Sequence, residues 1–435
     1  MENTTMRIGL LGLGTVGAGV AKLLRENGEI IRATTGLHLE VAKVLVRDPK
    51  KPRPGAEGLP LTEDVSEILG DPSIKIVVEL MGGIEPARSY MVEALKAGKT
   101  VVTANKDVMA EYGQNLYDAG DIGDAELYFE ASVGGGIPVI RPLKEGMAAN
   151  RMQKVMGIVN GTTNYILTQM SQFGKPYEVA LKEAQDLGYA EPDPTADVEG
   201  LDAGRKLAIL ASIAFMTRVK PGMVFTEGIT KITPRDIEYG KRLGWTIKLL
   251  AIAKEVDGEI EARVHPAFIP AEHPLAAVSG SLNAIFTLGD PIGETMFMGR
   301  GAGAGPTASA VVGDLIAAAL SKRTPGRRAG DACTCLFDKQ VMDMGKVESI
   351  YYLRLTVGDK PGTLARVADA FGFEGASIAQ IIQTNGGPDR LDNGDEAEVV
   401  LRTHRVSEAA MRAVVRRLEE LPMVRRVDNV IRVEA

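Results

Sequence analysis

Residues 6–24 read MRIGLLGLGTVGAGVAKLL. An apolar run, MRIGLLGLG, ends on glycine, and TVGAGVAKLL then takes up the spacing of an amphipathic helix. Gly12, Gly14 and Gly17 fall on the pattern G-x-G-x-x-G at the junction. Alone, that pattern is weak. Between a strand and a helix, at the first βα turn, it has a physical reading. The missing side chains let the backbone approach a pyrophosphate, and the helix N-terminus favours its negative charge. The stretch predicts a Rossmann-type dinucleotide-binding domain, with a merely tight turn as the alternative.

Working outward, the same alternation continues to about residue 140. LEVAKVLVRD, SIKIVVEL, KTVVTAN and AELYFEAS read as strands, and ARSYMVEALKAG and DVMAEYGQNLYDAGD as helices between them. Strands alternating with helices predict a parallel sheet in an α/β fold. The second strand ends on Arg47 and Asp48, followed by Lys50, Lys51 and Arg53. An acid there accepts from a ribose 2′-hydroxyl, and an arginine suits a 2′-phosphate. The positive excess tilts the expectation to NADP, with NAD open. Lys106 follows the buried strand of KTVVTANK, at the carboxyl end where ligands of such sheets sit. FEASVGGGIP ends the next strand; its three glycines admit turns that aim carbonyls at a cation or amides at an anion.

Beyond residue 150 the pattern is mixed, with RMQKVMGIVNG, WTIKLLAIAKEV and EARVHPAFIP strand-like and KPYEVALKEAQDLG helical. Residues 190–206, AEPDPTADVEGLDAGRK, crowd five carboxylates in front of the apolar LAILASIAF. The stretch holds neither the calcium-loop spacing nor a His or Cys, which argues against a metal loop. Asp197 is placed to cap the apolar helix. Asp202 and Lys206, four apart, share one helix face and read either as a salt bridge or as the rim of a pocket. RGAGAGPTASAVVGDLIAAAL, residues 300–320, is a glycine loop and a small-residue helix. SKRTPGRRAGD opens a linker, and the last 85 or so residues read βαββαβ, a ferredoxin-like order, with NGGPDRLDNGDE as a polar hairpin loop.

The chain of 435 residues suggests two or three domains. A net charge of −7 gives no basic field, so neither nucleic acid nor an anionic membrane is an expected partner. No run of eighteen apolar residues and no signal-peptide pattern is present, and the two cysteines, Cys333 and Cys335, fit free thiols in a reducing cytoplasm. Hydride transfer between a nicotinamide and a carbonyl builds negative charge on oxygen, which a lysine ammonium stabilises. An amino-acid substrate would bring an α-ammonium that wants carboxylates.

AQDLGYAEPDPTADVEGLDAGRK, residues 184–206, resembles the signature of the homoserine dehydrogenases. LGLGTVG, VVTANK, FEASVGGGIP, VNGTTNYIL and RGAGAGPTA carry the similarity over about residues 6–320. The C-terminal segment with DKPGTLARVADAF resembles an ACT-type regulatory module. The resemblance implies reversible NAD(P)-dependent interconversion of L-homoserine and L-aspartate 4-semialdehyde, in threonine and methionine biosynthesis. It implies a dinucleotide-binding domain at 1–140 completed by 300–320, and an α+β catalytic and dimerisation domain at 141–300. A linker at 321–349 and a regulatory domain at 350–435 would follow. Lys206 and Lys106 would be catalytic, with Lys206 the proton donor. Glu191 and Asp202, supported by Asp197, would hold the substrate. Gly12, Gly14, Thr15, Val16, Gly17, Arg47, Lys106, Gly188, Glu191 and Gly303 would line the cofactor. A monovalent cation, Na+ or K+, would sit on Glu130, Val133, Gly135 and Ile137, mainly through backbone oxygens. Threonine is the implied inhibitor and a homodimer or homotetramer the implied assembly. A dehydrogenase of another small amino acid or semialdehyde, or a non-catalytic NAD(P) and amino-acid sensor, are the alternatives.

Overall fold

The computed structural model describes residues 4–53, 55–323, 332–384 and 396–434. The charged core of the expected linker, 324–331, and the polar loop at 385–395 lie outside the described residues. The chain forms two compact units, each gathered from separated stretches. The first takes residues 1–161, 205–224 and 282–339; the second takes 162–204, 225–281 and 340–435.

The first unit is built on six parallel strands: β1 (Thr4–Leu11), β2 (Leu37–Leu45), β3 (Leu61–Thr62), β4 (Ile74–Glu79), β5 (Thr100–Thr103) and β6 (Leu127–Tyr128). Their spatial order is β3-β2-β1-β4-β5-β6. The order reverses between β1 and β4, which opens a crevice beyond their carboxyl ends. Ile8, Leu10, Ile76, Val78 and Val102 are fully buried, which explains why these strands read as continuous apolar runs rather than alternating ones.

Four helices matter to the site: α1 (Thr15–Glu26), α2 (Lys106–Gly123), α3 (Leu201–Ala214) and α4 (Ala304–Ser321). Helix α4 returns from late in the chain to pack on α1. A Cβ on Gly19 of α1 would stand 2.9 Å from the Ala304 carbonyl oxygen, so glycine is what permits the approach. Val311 and Leu315 of α4 join Ile8, Leu10 and Val20 in one core. Among the described residues α4 alone is long and apolar enough to cross a membrane, but much of its apolar surface is spent in that core. Strand β7 (Arg151–Ile158) pairs antiparallel with Leu282–Asp290, which pairs in turn with Gly293–Arg300. That hairpin did not stand out in the sequence.

The second unit starts from the long hairpin of β8 (Trp245–Val256) and β9 (Glu259–Pro270). Its turn is Asp257–Gly258, both at positive φ (49° and 84°), the geometry that matches strand twist and that Asp-Gly favours. The C-terminal segment forms β10 (Glu348–Gly358), α5 (Thr363–Phe373), β11 (Ile378–Thr384), β12 (Glu396–Thr403), α6 (Glu408–Glu419) and β13 (Val424–Val433). Its strands lie in the order β13-β10-β12-β11, antiparallel throughout. Strand β13 also pairs with β9, Ala267 against Arg432 and Phe268 against Val433, so hairpin and C-terminal strands share a sheet. Buried charges reinforce the join. Arg263, 1% exposed, lies 3.2 Å from Glu261 and 2.6 Å from Glu434. Arg354 donates at 2.7 Å to fully buried Asp236, and Arg432 donates at 2.7 Å to both Glu408 and Glu227.

Candidate functional site

In the first unit the glycine turn performs three separate tasks. A Cβ on Gly12, at φ 101°, would lie 2.9 Å from the Leu80 carbonyl, so Gly12 lets β1 and β4 deliver their ends side by side. A Cβ on Gly17 would lie 2.3 Å from the Gly12 carbonyl, so Gly17 lets α1 close on the strand. Gly14 meets nothing within 4 Å and faces open space. It is also the N-cap of α1, where no side chain caps the helix. The cradle that a pyrophosphate requires is therefore present, with Thr15 and Val16 opening the helix above it. Gly303, at φ 113°, is the N-cap of α4, again without a side-chain cap.

At the end of β2, Arg47 and Asp48 are both exposed. Asp48 Oδ1 accepts from Lys50 N at 2.8 Å, and Arg53 donates to the Asp48 and Lys51 carbonyls. The basic turn is thereby folded on its own backbone.

Glu79 ends β4 fully buried, and sequence reasoning missed it. Its Oε1 accepts from Met81 N at 2.7 Å and its Oε2 from the Thr103 hydroxyl at 2.7 Å. Burial pushes its carboxyl above the usual carboxylate range. Thr103 Oγ1 accepts from Asn105 N, and Asn105 caps α2 by accepting from Val108 N at 3.1 Å. The chain of bonds from Glu79 fixes where α2 starts, and Lys106 is its first residue. The signal was an acid closing the apolar run IKIVVEL.

Lys206, on α3, is half-buried and donates to the Val159 carbonyl at 2.7 Å, just past β7. Its neighbour Arg205 lies 3.3 Å from Asp107, the neighbour of Lys106. One ion pair thus ties the start of α2 to α3, next to both lysines.

The FEASVGGGIP loop packs against the other glycine loop. A Cβ on Gly135 would stand 2.5 Å from the Gly301 carbonyl, and Gly136 N donates to the Arg300 carbonyl at 3.2 Å. The Glu130 carboxylate is fully engaged: Oε1 accepts from Val139 N and Ile140 N at 2.5 and 2.6 Å, and Oε2 from Arg141 N at 2.8 Å. Beneath it, Asp314 accepts from Glu130 N at 2.8 Å and from Arg141 at 2.7 Å; burial, with the Glu130 charge, pushes its carboxyl up to about 7. No group of three His, Cys, Asp or Glu poised for a metal occurs among the described residues.

The second unit holds the remaining candidates. Gly188, at φ 74°, terminates the helix Tyr177–Asp186. Glu191 is exposed, and its carbonyl lies 3.3 Å from Gln185 Nε2. Asp202 is buried, 7% exposed, in the first turn of α3. Asp197 precedes that helix. It belongs to a separate turn, Thr195–Val198; Gly200, at φ 79°, breaks the chain between that turn and Leu201, where α3 begins.

Comparison with known proteins now decides the family. The family described as "Homoserine dehydrogenase, NAD binding domain" matches residues 12–130, and "Homoserine dehydrogenase" matches residues 138–316. The homoserine dehydrogenase of Bacillus subtilis (strain 168) is 43% identical, over 99% of this chain and 98% of its own. The chain belongs to the homoserine dehydrogenase family. The crystal structure of a homoserine dehydrogenase from Thiobacillus denitrificans is similar at a TM-score of 0.92, with 40% identity over 99% of this chain and 98% of that one. A hyperthermophilic archaeal homoserine dehydrogenase in complex with NADPH is similar at 0.62, with 28% identity over 75% of this chain and 100% of that one. The protein is accordingly a homoserine dehydrogenase in function, an NAD(P)-dependent oxidoreductase acting on the CH–OH group of homoserine. The parallel sheet of the first unit is its nucleotide-binding part.

Proposed function

We propose that Lys206 is the proton donor and acceptor of the reaction and Lys106 its electrostatic partner. When bound, the nicotinamide supplies or accepts the hydride. Lys206 gives a proton to the aldehyde oxygen of L-aspartate 4-semialdehyde as negative charge builds there, and takes it back from L-homoserine in reverse. Lys106 adds a second ammonium to the same oxygen's surroundings. The observation that carries this reading is the Asp107–Arg205 ion pair, since the two lysines are its chain neighbours. Glu191 and Asp202 accept from the substrate's α-ammonium, and Asp197 supports them. The test is absorbance of reduced nicotinamide with L-homoserine as substrate: Lys206→Ala should lose turnover while still binding cofactor, and equal loss of both rejects the role.

Gly12, Gly14, Thr15, Val16, Gly17, Arg47, Lys106, Gly188, Glu191 and Gly303 are proposed to line the cofactor. NADP is favoured over NAD: Asp48 is occupied by its own turn, which leaves Arg47 as the group for a 2′-phosphate, and the archaeal relative's complex holds NADPH. A monovalent cation, Na+ or K+, is proposed on the carbonyls of Glu130, Val133, Gly135 and Ile137. The βαββαβ segment is proposed to be an ACT-type module that pairs between subunits of a homodimer or homotetramer and binds L-threonine as inhibitor. Gly362, at φ 88°, opens α5 there in a conformation that suits a ligand turn. A cytoplasmic location fits the two free thiols.

A further inference from the structure

The chain has two cysteines, Cys333 and Cys335, and the chemistry above uses neither. They lie in an irregular segment that turns tightly at Cys335, where Leu336 N donates to the Thr334 carbonyl at 2.8 Å. Both are free and half-buried. Cys335 N donates to Cys333 Sγ at 3.4 Å, and the two thiols are themselves hydrogen-bonded. Cys333 Sγ lies 3.7 Å from Gln114 Oε1 on α2, and Cys335 Sγ lies 3.7 Å from the Thr217 carbonyl just beyond α3. The pair closes a cavity of about 50 Å³ walled by α2 and α3, with Ser212 and Arg218 in its lining.

What the pair can do follows from the charges around it. Lys144 and Arg218 act on both sulfurs, and the cavity lining holds no carboxylate and no histidine. That field disfavours a bound metal cation and favours a thiolate. The Cys335 S–H, chiefly, and the two cations hold the Cys333 thiol below the ordinary thiol range, while the Cys333 neighbour pushes Cys335 above it. An attacking sulfur therefore stands beside a protonated resolving one.

The two residues also hold a strap. Directly after them, Phe337 N donates to the Met216 carbonyl at 2.9 Å, and Lys339 N to Thr217 Oγ1 at 3.0 Å. We propose that Cys333 and Cys335 form a peroxide-oxidisable dithiol, and that its closure frees this strap from α2 and from the end of α3. The Cys333 thiolate attacks one peroxide oxygen, the O–O bond breaks, and hydroxide leaves and is protonated to water. Cys333 is then a sulfenic acid. Cys335 loses its proton and attacks that sulfur, the S–S bond forms, the S–O bond breaks, and a second water leaves. Two thiols and one hydrogen peroxide give one disulfide and two waters; a dithiol reductant reverses it. Both sulfurs then give up their contacts with Gln114 and Thr217. Because α2 begins at Lys106 and α3 carries Lys206, the loosening lowers turnover, a consequence that rests on the lysine roles proposed above.

The full-length protein, treated with hydrogen peroxide and then alkylated, tests this by mass spectrometry and amide exchange. The expected product is a loss of about 2 Da confined to the tryptic peptide 329–339 of one chain, restored by dithiothreitol. Cys335→Ser should stop at a sulfenic acid that dimedone traps on Cys333, and Cys333→Ser should react about tenfold more slowly. Exchange at Phe337 and Lys339 should rise on oxidation, and turnover should fall about threefold or more. The Cys333→Ser/Cys335→Ser double variant should keep its turnover through the same treatment. Full alkylation of both thiols after peroxide, a disulfide between two chains, or equal reactivity of the single variants overturns the dithiol. Unchanged exchange overturns release of the strap. Raised exchange with constant turnover overturns its link to Lys106 and Lys206, whose own test remains the Lys206 variant.

Discussion

Lys206 shows how much one residue's chemistry depends on a distant partner. Its ammonium donates to the Val159 carbonyl, which fixes where the side chain of Lys206 is held. Lys206→Ala should lower kcat by about 10²- to 10⁴-fold with little change in cofactor Kd. The spacing of Asp202 and Lys206 was legible in the sequence; the Val159 bond was not, because it spans 47 residues. Asp314 was not legible either, since a lone acid in an apolar helix announces no partner. It carries a pH prediction. Its carboxyl sits near 7 when folded against 3.8 for an ordinary Asp, so the folded chain holds a proton that the unfolded chain releases. The stability this gives is complete below about 4, declines as pH rises, and is gone above about 7. Urea midpoints measured from about pH 5 to about pH 8 should therefore carry a downward contribution that Asp314→Asn flattens. An identical slope in both proteins removes Asp314 as its source.

Among the elements, the glycine turn separates folding from binding within six residues. Gly17→Ala places a Cβ 2.3 Å from the Gly12 carbonyl, so α1 must shift. It should destabilise the protein by about 1–3 kcal/mol, read as a lower thermal midpoint, and weaken cofactor binding as a consequence. Gly14→Ala meets open space, so the thermal midpoint of the free protein should hold while the NADPH Kd rises. If both variants lose stability alike, Gly14 is only part of a tight turn. The strand, the turn and the helix were all readable here because their contacts are local. The same holds for the alternation that predicted the parallel sheet, and for the two strands, though not the turn, of the Asp257–Gly258 hairpin. The short helix that holds Asp197 was not legible at this scale: two prolines and the turn at Gly200 set it apart from α3, and spacing alone does not separate the two.

At the scale of the whole molecule, the alternation of strands and helices along the chain could be read, but not how the chain weaves its two units. Nothing local marks that 282–339 belong with the nucleotide-binding sheet, because that follows from pairings of β7 with Leu282–Asp290 and of α4 with α1 across more than a hundred residues. The weave changes what a truncation means. A sequence that ends in a ferredoxin-like segment invites removal of residues 350–435 to obtain an active, uninhibited enzyme. In the structure β13 completes the sheet of β9, Glu434 faces Arg263, and Arg354 faces Asp236. Removal takes from Arg263 the nearer of its two carboxylates and from Asp236 its Arg354 partner, and losing a buried partner costs about 3–5 kcal/mol. That is a large part of the stability of an ordinary domain. The truncated chain should therefore aggregate or unfold at a much lower urea concentration, and its inactivity would say nothing of regulation. Glu434→Gln separates the effects. It leaves the module in place, keeps a hydrogen-bonding side chain against Arg263, and removes only the charge. Its urea midpoint should fall by less than that of the truncation, and turnover should persist. A truncated chain with a wild-type midpoint would mean that the buried pairs contribute nothing to holding β9 and β13 together.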